Sequence, residues 1–225
     1  NVQPFYLKED LENLKTPDSL PGEFPFVRGN KKGDNAWYVR QRIMADDAAA
    51  ANEKALDILN RGVDSLSFKI PGKNISKDFV ETLLKGIECE AVELNFNTCK
   101  RHTLELAKIL DWYFTAKGYD KTKIVGSFNW DPMEKIVVKG LDTVALLAQA
   151  PQIVEAMKEY PNFRTICVNA VALNNNGAYI VQELGYALAW GNEYMNQLVE
   201  AGTDADEAAK NIKFISFRVS VKPTS

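Results

Sequence analysis

The chain has 225 residues, 46% of them hydrophobic and 25% charged, with a formal net charge of -3. That balance describes a globular chain able to bury one substantial core, and it excludes the strongly basic surface that nucleic acid or an anionic membrane selects. No apolar run reaches the roughly 18 residues a membrane-spanning helix needs.

The chain opens at Asn1-Val2-Gln3-Pro4 with neither an initiator Met nor a secretory signal, which reads as an excised fragment or a processed chain. Residues 1–35 have no sustained period. A short helix is expected over Leu7–Leu14, and then prolines, glycines and charges follow closely, with Gly22 between Pro21 and Pro25. That run reads as an extended arm. Its Arg28, Lys31 and Lys32 form a small basic cluster that could meet phosphate, although a solvated loop is the plainer reading.

From Ala36 the pattern is regular. Trp37–Ile43 is strand-like, and Asp46 is positioned to cap an Ala-rich helix that stops at Gly62. Ser65–Ile70 is the next strand, ended by Pro71-Gly72; Ser76 starts a helix whose Phe79, Leu83, Leu84 and Ile87 share a face. Ala91–Asn97 is a third strand, followed by a helix over Thr103–Lys117; Lys123–Trp130 is a fourth, followed by one or two helices interrupted near Pro151. Thr165–Ala170 is a fifth strand. A polar turn over Leu173–Gly177 leads to a long helix from about Ala178 to Ala201, a short helix capped by Thr203-Asp204, and a last strand over Lys213–Val221.

Strands alternating with helices imply parallel pairing through right-handed crossovers. The fold class is α/β. No G-x-G-x-x-G or P-loop marks a doubly wound nucleotide-binding sheet. The expected architecture is a (β/α)8 barrel with about six βα units, incomplete in this chain, over residues 36–225 and preceded by the arm over 1–35. The ending on a strand at Lys222-Pro223-Thr224-Ser225 reads as a cut inside a barrel, leaving strand edges open to pairing.

In such folds the ligand faces the carboxyl ends of the strands. The candidates there are Met44–Asp47, Pro71–Asn74, Asn97–His102, Asp131, the group Val171, Ala172 and Leu173, and the tail after Val221. Asn97, Thr98 and Asn129 could hydrogen-bond a polar ligand; Asp46 and Asp131 read as helix caps. Lys69 and Glu93 lie inside strands, where they could be partners in the barrel interior. His102, the one histidine, reads as a surface or cap residue because no partner is marked to orient it. Cys89, Cys99 and Cys167 read as reduced, mostly buried thiols of a cytoplasmic protein, with no metal-ligand spacing around them. No catalytic, cofactor-binding or metal-binding residue is therefore assigned.

Two longer segments resemble a known family. The run from Gly22 to Ile43, GEFPFVRGNKKGDNAWYVRQRI, is similar to the opening segment of coenzyme B12-dependent acyl-CoA mutases, G-x-x-P-[FY]-x-R-G followed by W-x-[IM]-R-Q. The run from Gly177 to Phe217 resembles their A-G-A-x-x-x-x-E-L-[AG]-[FY]-x-L-A-x-G-x-E-Y block. The resemblance implies the barrel domain of methylmalonyl-CoA mutase, which interconverts succinyl-CoA and methylmalonyl-CoA by a radical rearrangement with adenosylcobalamin.

The same resemblance exposes departures. Aligned on Gly177 and Glu183-Leu184, Val171 and Ala172 stand where catalytic members carry a Tyr-His pair. Lys32 stands where a family tyrosine packs on substrate, and Ser127-Phe128-Asn129-Trp130-Asp131 replaces T-x-Q-N-D. The cobalamin motif D-x-H-x-x-G of a separate domain is not in this chain. These losses resemble the small subunit of the heterodimeric members. They imply a non-catalytic chain paired with a large subunit that holds adenosylcobalamin and the acyl-CoA. A mutase with a diverged but active site, and an unrelated barrel enzyme using Asn97, Asn129 and His102, are the alternatives.

Overall fold

A computed structural model describes residues 3–14, 18–34, 36–140 and 144–215. It divides into two compact units, Asn1–Trp37 and Tyr38–Ser225.

In the first unit the helix expected over Leu7–Leu14 is reduced to a single 3-10 turn, Lys8–Leu11, whose opening N–H at Leu7 donates to Asp10 Oδ2 at 2.7 Å. None of its residues is buried, and a short helix without a buried apolar face is marginal in water. Gly22, at φ 78°, donates its N–H to the Gly29 carbonyl at 2.8 Å, and the Lys32 stem lies directly against it.

The second unit is built on parallel strands. β1 (Arg40–Met44), β2 (Ser65–Lys69), β3 (Glu93–Asn97), β4 (Gly126–Phe128) and β5 (Phe163–Arg164) form one sheet in chain order. β6 (Ile166–Asn169) and β7 (Ile212–Ile215) form a second parallel pair. β5 and β6 are one stave interrupted at Thr165, β5 pairing with β4 and β6 with β7. At the break the Thr165 N–H and hydroxyl both turn to Asn211, at 3.1 and 2.7 Å. The Cys167 N–H donates to the Trp130 carbonyl at 3.0 Å, which ties β6 to the chain just past β4. The result is a six-stave arc of an α/β barrel. The last stave is described only to Ile215, so the part of the expected strand beyond it, and the tail after Val221, lie outside the described residues.

The helices of this unit are α1 (Ala48–Leu59), α2 (Lys77–Leu83), α3 (Thr103–Lys117), α4 (Met133–Lys139), α5 (Val144–Leu147), α6 (Ala150–Ala156), α7 (Val171–Asn175), α8 (Ile180–Glu200) and α9 (Ala205–Asn211). Alternation along the strands sends Ile43, Leu66, Phe68, Leu94, Phe96 and Phe128 outward, where they join apolar residues of α1, α2, α3 and α6 in the core. The core is thus a layer between sheet and helices. At Gly126 a Cβ would sit 2.1 Å from the Leu94 carbonyl oxygen and 2.7 Å from the Phe163 ring, so only glycine admits that ring.

The helical run after β4 breaks just before Pro151, as read from the sequence: α5 ends at Leu147 and α6 begins at Ala150, with Pro151 in its first turn, where its missing N–H costs nothing. Three local expectations are corrected. Asp47, not Asp46, caps α1: its extended backbone immediately before the helix lets its carboxylate reach the Ala50 N–H at 2.8 Å. The polar turn over Leu173–Gly177 is largely the short helix α7, which buries Ala172, and the long helix then begins at Ile180. Lys69 is not the partner of Glu93. Register places Lys69 beside Asn97 and Glu93 beside Ser65, at opposite ends of the same face, and Glu93 pairs with Arg40 instead.

α8 divides its surface unequally. Ala187, Trp190, Tyr194 and Leu198 are buried, while Ile180, Val181, Leu184 and Leu188 stand more than half exposed on the other face.

Candidate functional site

The inward face of the strands is polar. One layer aligns Arg40, Ser65 and Glu93; the next aligns Arg42, Ser67, Asn95 and Ser127. These side chains are joined. Arg40 reaches Glu93 at 2.8 Å, and the Ser65 hydroxyl donates to the same carboxylate. Asn95 Nδ2 donates to Glu93 at 3.0 Å, and Asn95 Oδ1 accepts from the Ser127 hydroxyl. Lys213 Nζ, from β7, then donates to Ser127 Oγ and Asn129 Oδ1, each at 2.6 Å. Lys100 Nζ closes the run on the main-chain oxygen of Asn129. One hydrogen-bonded chain therefore runs from Arg40 at the amino end of the strands to Lys100 at the carboxyl end.

The charges along it are unequally compensated. Burial works against the Glu93 carboxylate, but hydrogen bonds from Ser65, Arg40 and Asn95 hold its carboxyl below the usual range. Lys213 has no carboxylate in contact among the described residues, and burial pushes its ammonium down to about 8. Burial also lowers Lys100, against the opposing charge of Asp131.

This has a pH signature. Below pH 8 Lys213 is charged in both folded and unfolded chains, and the fold bears the cost of burying it. Between about 8 and the ordinary 10.5 the unfolded chain holds the extra proton, so stability rises with pH. Lys213→Met is expected to flatten that rise, measured by urea unfolding at pH 8 and pH 10. Equal slopes in the two proteins would refute the buried-charge account.

A cavity of about 360 Å³ opens at the carboxyl ends of the strands, its wall including Arg42, Asn97, Lys100, Asn129, Asp131 and Val171. Asp131 is almost completely buried. Its Oδ1 accepts from the Tyr194 hydroxyl at 2.7 Å and the Glu134 N–H at 3.2 Å, and its Oδ2 from the Asn169 N–H at 2.8 Å. The bond to Glu134 is the helix cap read from the sequence; the other two make Asp131 the joint between β6, α4 and α8. Burial outweighs these donors and pushes its carboxyl up to about 6.

The structure brings Asn97 and Asn129 together in this mouth but not His102, whose ring lies over Gly72 and whose Nδ1 faces Glu105 at 3.2 Å. Thr98 Oγ1 is buried with no hydrogen-bond partner among the described residues. Val171 lines the cavity, and Ala172, 7% exposed, faces into packed protein. Cys89 and Cys167 are buried, with thiols pushed up to about 12 by burial, and Cys99 is exposed; all three are free. Among the described residues no three of His, Cys, Asp and Glu are grouped to hold a metal.

Lys213, Arg42 and Asn169 escaped the reading of the sequence, whereas Lys100 lies within the candidate stretch Asn97–His102. Period-2 alternation in Arg40–Met44 and Lys213–Ile215 was the available signal, since it puts Arg42 and Lys213 on the inward face. The meeting of Lys100 and Lys213 at Asn129 is visible only in three dimensions.

A sequence profile described as methylmalonyl-CoA mutase matches residues 1–74 and 73–222. The chain is 46% identical over 215 residues to the methylmalonyl-CoA mutase small subunit of Porphyromonas gingivalis, covering 95% of this chain and 35% of that protein. It is 29% identical to the methylmalonyl-CoA mutase small subunit of Streptomyces virginiae, over 95% of this chain and 34% of that one. Against a methylmalonyl-CoA mutase of Rhizobium meliloti the identity is 26%, over 95% and 34% respectively. The chain thus spans about a third of the length of the curated relatives it matches. With a profile match over nearly its whole length and a parallel barrel arc of the kind that the resemblance implied, the chain belongs to the methylmalonyl-CoA mutase family.

Proposed function

We propose that this chain is part of a methylmalonyl-CoA mutase small subunit that performs no chemistry itself and supports a larger catalytic subunit in the cytoplasm. The observation that carries this reading is the end of β6, where the family's Tyr-His pair would stand. Val171 and Ala172 occupy it, inside the short helix α7, with Ala172 facing packed protein. A valine and an alanine offer no proton and no hydrogen bond to a thioester carbonyl.

The family uses adenosylcobalamin, which brings its own cobalt and radical chemistry. The chain's one histidine lies over Gly72 and faces Glu105, and the mouth offers amides, acids, a guanidinium and one ammonium group. None of these is a fitting cobalt ligand, so no step is assigned to them, and in this proposal the partner holds the cofactor. In the same reading the apolar face of α8, with Ile180, Val181, Leu184 and Leu188, is the kind of surface whose burial holds two chains together.

The test combines the full-length chain with its large subunit. Turnover of succinyl-CoA and adenosylcobalamin binding are expected for the pair and absent for this chain alone, and Leu184→Asp with Leu188→Asp is expected to weaken pairing at least tenfold. Turnover or cobalamin binding by this chain by itself would overturn the proposal.

A further inference from the structure

The polar network inside the sheet leaves one amine with an unusual set of neighbours. A second cavity, of about 460 Å³, opens at the amino ends of the strands, and Lys213 lines it together with Asn95, Ser127 and Arg164. Lys213 is 8% exposed, so its stem is packed and the cavity is the approach to its amine. Nζ donates to Ser127 Oγ and Asn129 Oδ1, each at 2.6 Å. Both partners are fixed as acceptors. The Ser127 hydroxyl gives its own proton to Asn95 Oδ1, and Asn129 presents a carbonyl oxygen. The two N–H bonds of a neutral amine satisfy these oxygens, and its lone pair then has no donor among the described residues.

The surrounding charges favour that neutral form. Burial, aided by the guanidinium groups of Arg40 on β1 and Arg164 on β5, pushes the ammonium down to about 8. Two groups oppose the shift, Cys167 on β6 and Glu93 on β3. The Cys167 thiol is itself pushed up to about 12 by burial and stays uncharged near neutral pH, and Glu93 is already bonded to Arg40, Ser65 and Asn95. At pH 7.5 roughly a quarter of such an amine is neutral, against about one part in a thousand of an ordinary lysine. A desolvated lysine beside other cations is the activated form of this nucleophile toward carbonyl compounds.

We propose that Lys213 is a covalent site for small aldehydes, its amine adding to the carbonyl carbon to form an imine inside this cavity. The nitrogen lone pair forms the C–N bond as the carbonyl π pair moves to oxygen. Both amine protons then leave with that oxygen as one water, the C=N bond remains, and no oxidant or reductant is consumed. Addition of this kind needs no leaving group and no base beyond water, which suits a cavity whose carboxylate is already engaged. The volume admits a compound of a few carbon atoms. The inference is independent of the subunit reading, because attachment is measured directly and turnover is not involved.

The experiment treats the full-length chain with acetaldehyde and cyanoborohydride at pH 7.5, which reduces any imine to a stable N-ethyl group, and follows each lysine by peptide mass spectrometry. Lys213 is expected to be labelled at least about tenfold faster than the exposed Lys54 and Lys85. Asn129→Asp sets a carboxylate beside the amine, which favours the ammonium and is expected to slow labelling of Lys213 at least about tenfold while leaving Lys54 and Lys85 unchanged. Should that variant fail to fold, the pH profile of the unaltered chain decides: labelling of Lys213 is expected to level off just above pH 8, whereas the exposed lysines keep rising through pH 10. Slower labelling of Lys213 than of the exposed lysines, an equal rate in Asn129→Asp, or a pH profile shared with the exposed lysines would each overturn the proposal.

Discussion

Replacing Phe96 by alanine is expected to lower stability by roughly 3–5 kcal/mol, the usual cost of emptying a buried aromatic site. Phe96 is 1% exposed and is the centre of an aromatic group that laces the sheet to its outer layer. Its ring lies 6.0 Å from Phe68 on β2, 6.3 Å from Phe128 on β4 and 6.5 Å from Phe163 on β5. Phe128 and Phe163 meet edge to face at 4.9 Å, a contact open only because Gly126 has no side chain. Removing Phe96 therefore withdraws contacts from three neighbouring strands at once. Urea unfolding should show a lower midpoint with an unchanged slope, and Phe96→Leu should cost less than half as much. A loss below about 1 kcal/mol for the alanine variant would mean that this cluster does not bind the strands together.

Asp131→Ala is the second large effect, expected at roughly 3 kcal/mol near neutral pH, because it strands three donors in a buried place. The Tyr194 hydroxyl and the N–H groups of Asn169 and Glu134 would all lose their acceptor. Asp131→Asn keeps one acceptor oxygen and should lose less than half of that. The carboxyl titrates against this background. Its folded value of about 6 lies above the ordinary 3.8, so its contribution is complete below 3.8 and is lost as pH rises through 6. The Asp131→Asn variant should therefore lack the extra stability that the native chain gains on acidification from pH 7 toward pH 5, as compared by parallel unfolding curves. An identical pH profile in the two proteins would sink the assignment.

Strand–helix alternation was legible in the sequence, and so was the number of staves, because both rest on local periodicity. Thr103–Lys117 was read at its true limits: it has a long apolar face, and Gly118, at φ 72°, supplies the left-handed turn that stops it. Boundaries failed where tertiary contacts decide them. The fourth strand keeps only Gly126–Phe128, and the fifth stave breaks at Thr165 because Asn211 captures both its N–H and its hydroxyl. Asp46 and Asp47 are interchangeable in a string of letters; only the backbone angles choose between them.

The site was less legible than the fold. Asn97, Asn129 and Asp131 were placed correctly at the carboxyl ends of the strands, and Val171 does line the mouth. The lumen network was invisible because its members are far apart in the chain: Lys213 and Ser127, which share a 2.6 Å hydrogen bond, are separated by 86 positions. Lys69 and Glu93 were expected to meet because both are charged and both sit in strands. Register, which a single sequence does not reveal, put Glu93 level with Arg40 through Ser65.

The placement of the core outside the sheet has a bearing on how such a chain can change over generations. Cohesion comes from the layer holding Leu66, Phe68, Phe96 and Phe128, whereas the inner face holds serines, asparagines and charges that bond mainly to one another. Replacing an inner group disturbs its few polar neighbours and leaves the apolar layer intact. A protein of this build can trade reactive side chains at the strand ends for inert ones while its shape, and with it any surface another chain grips, persists.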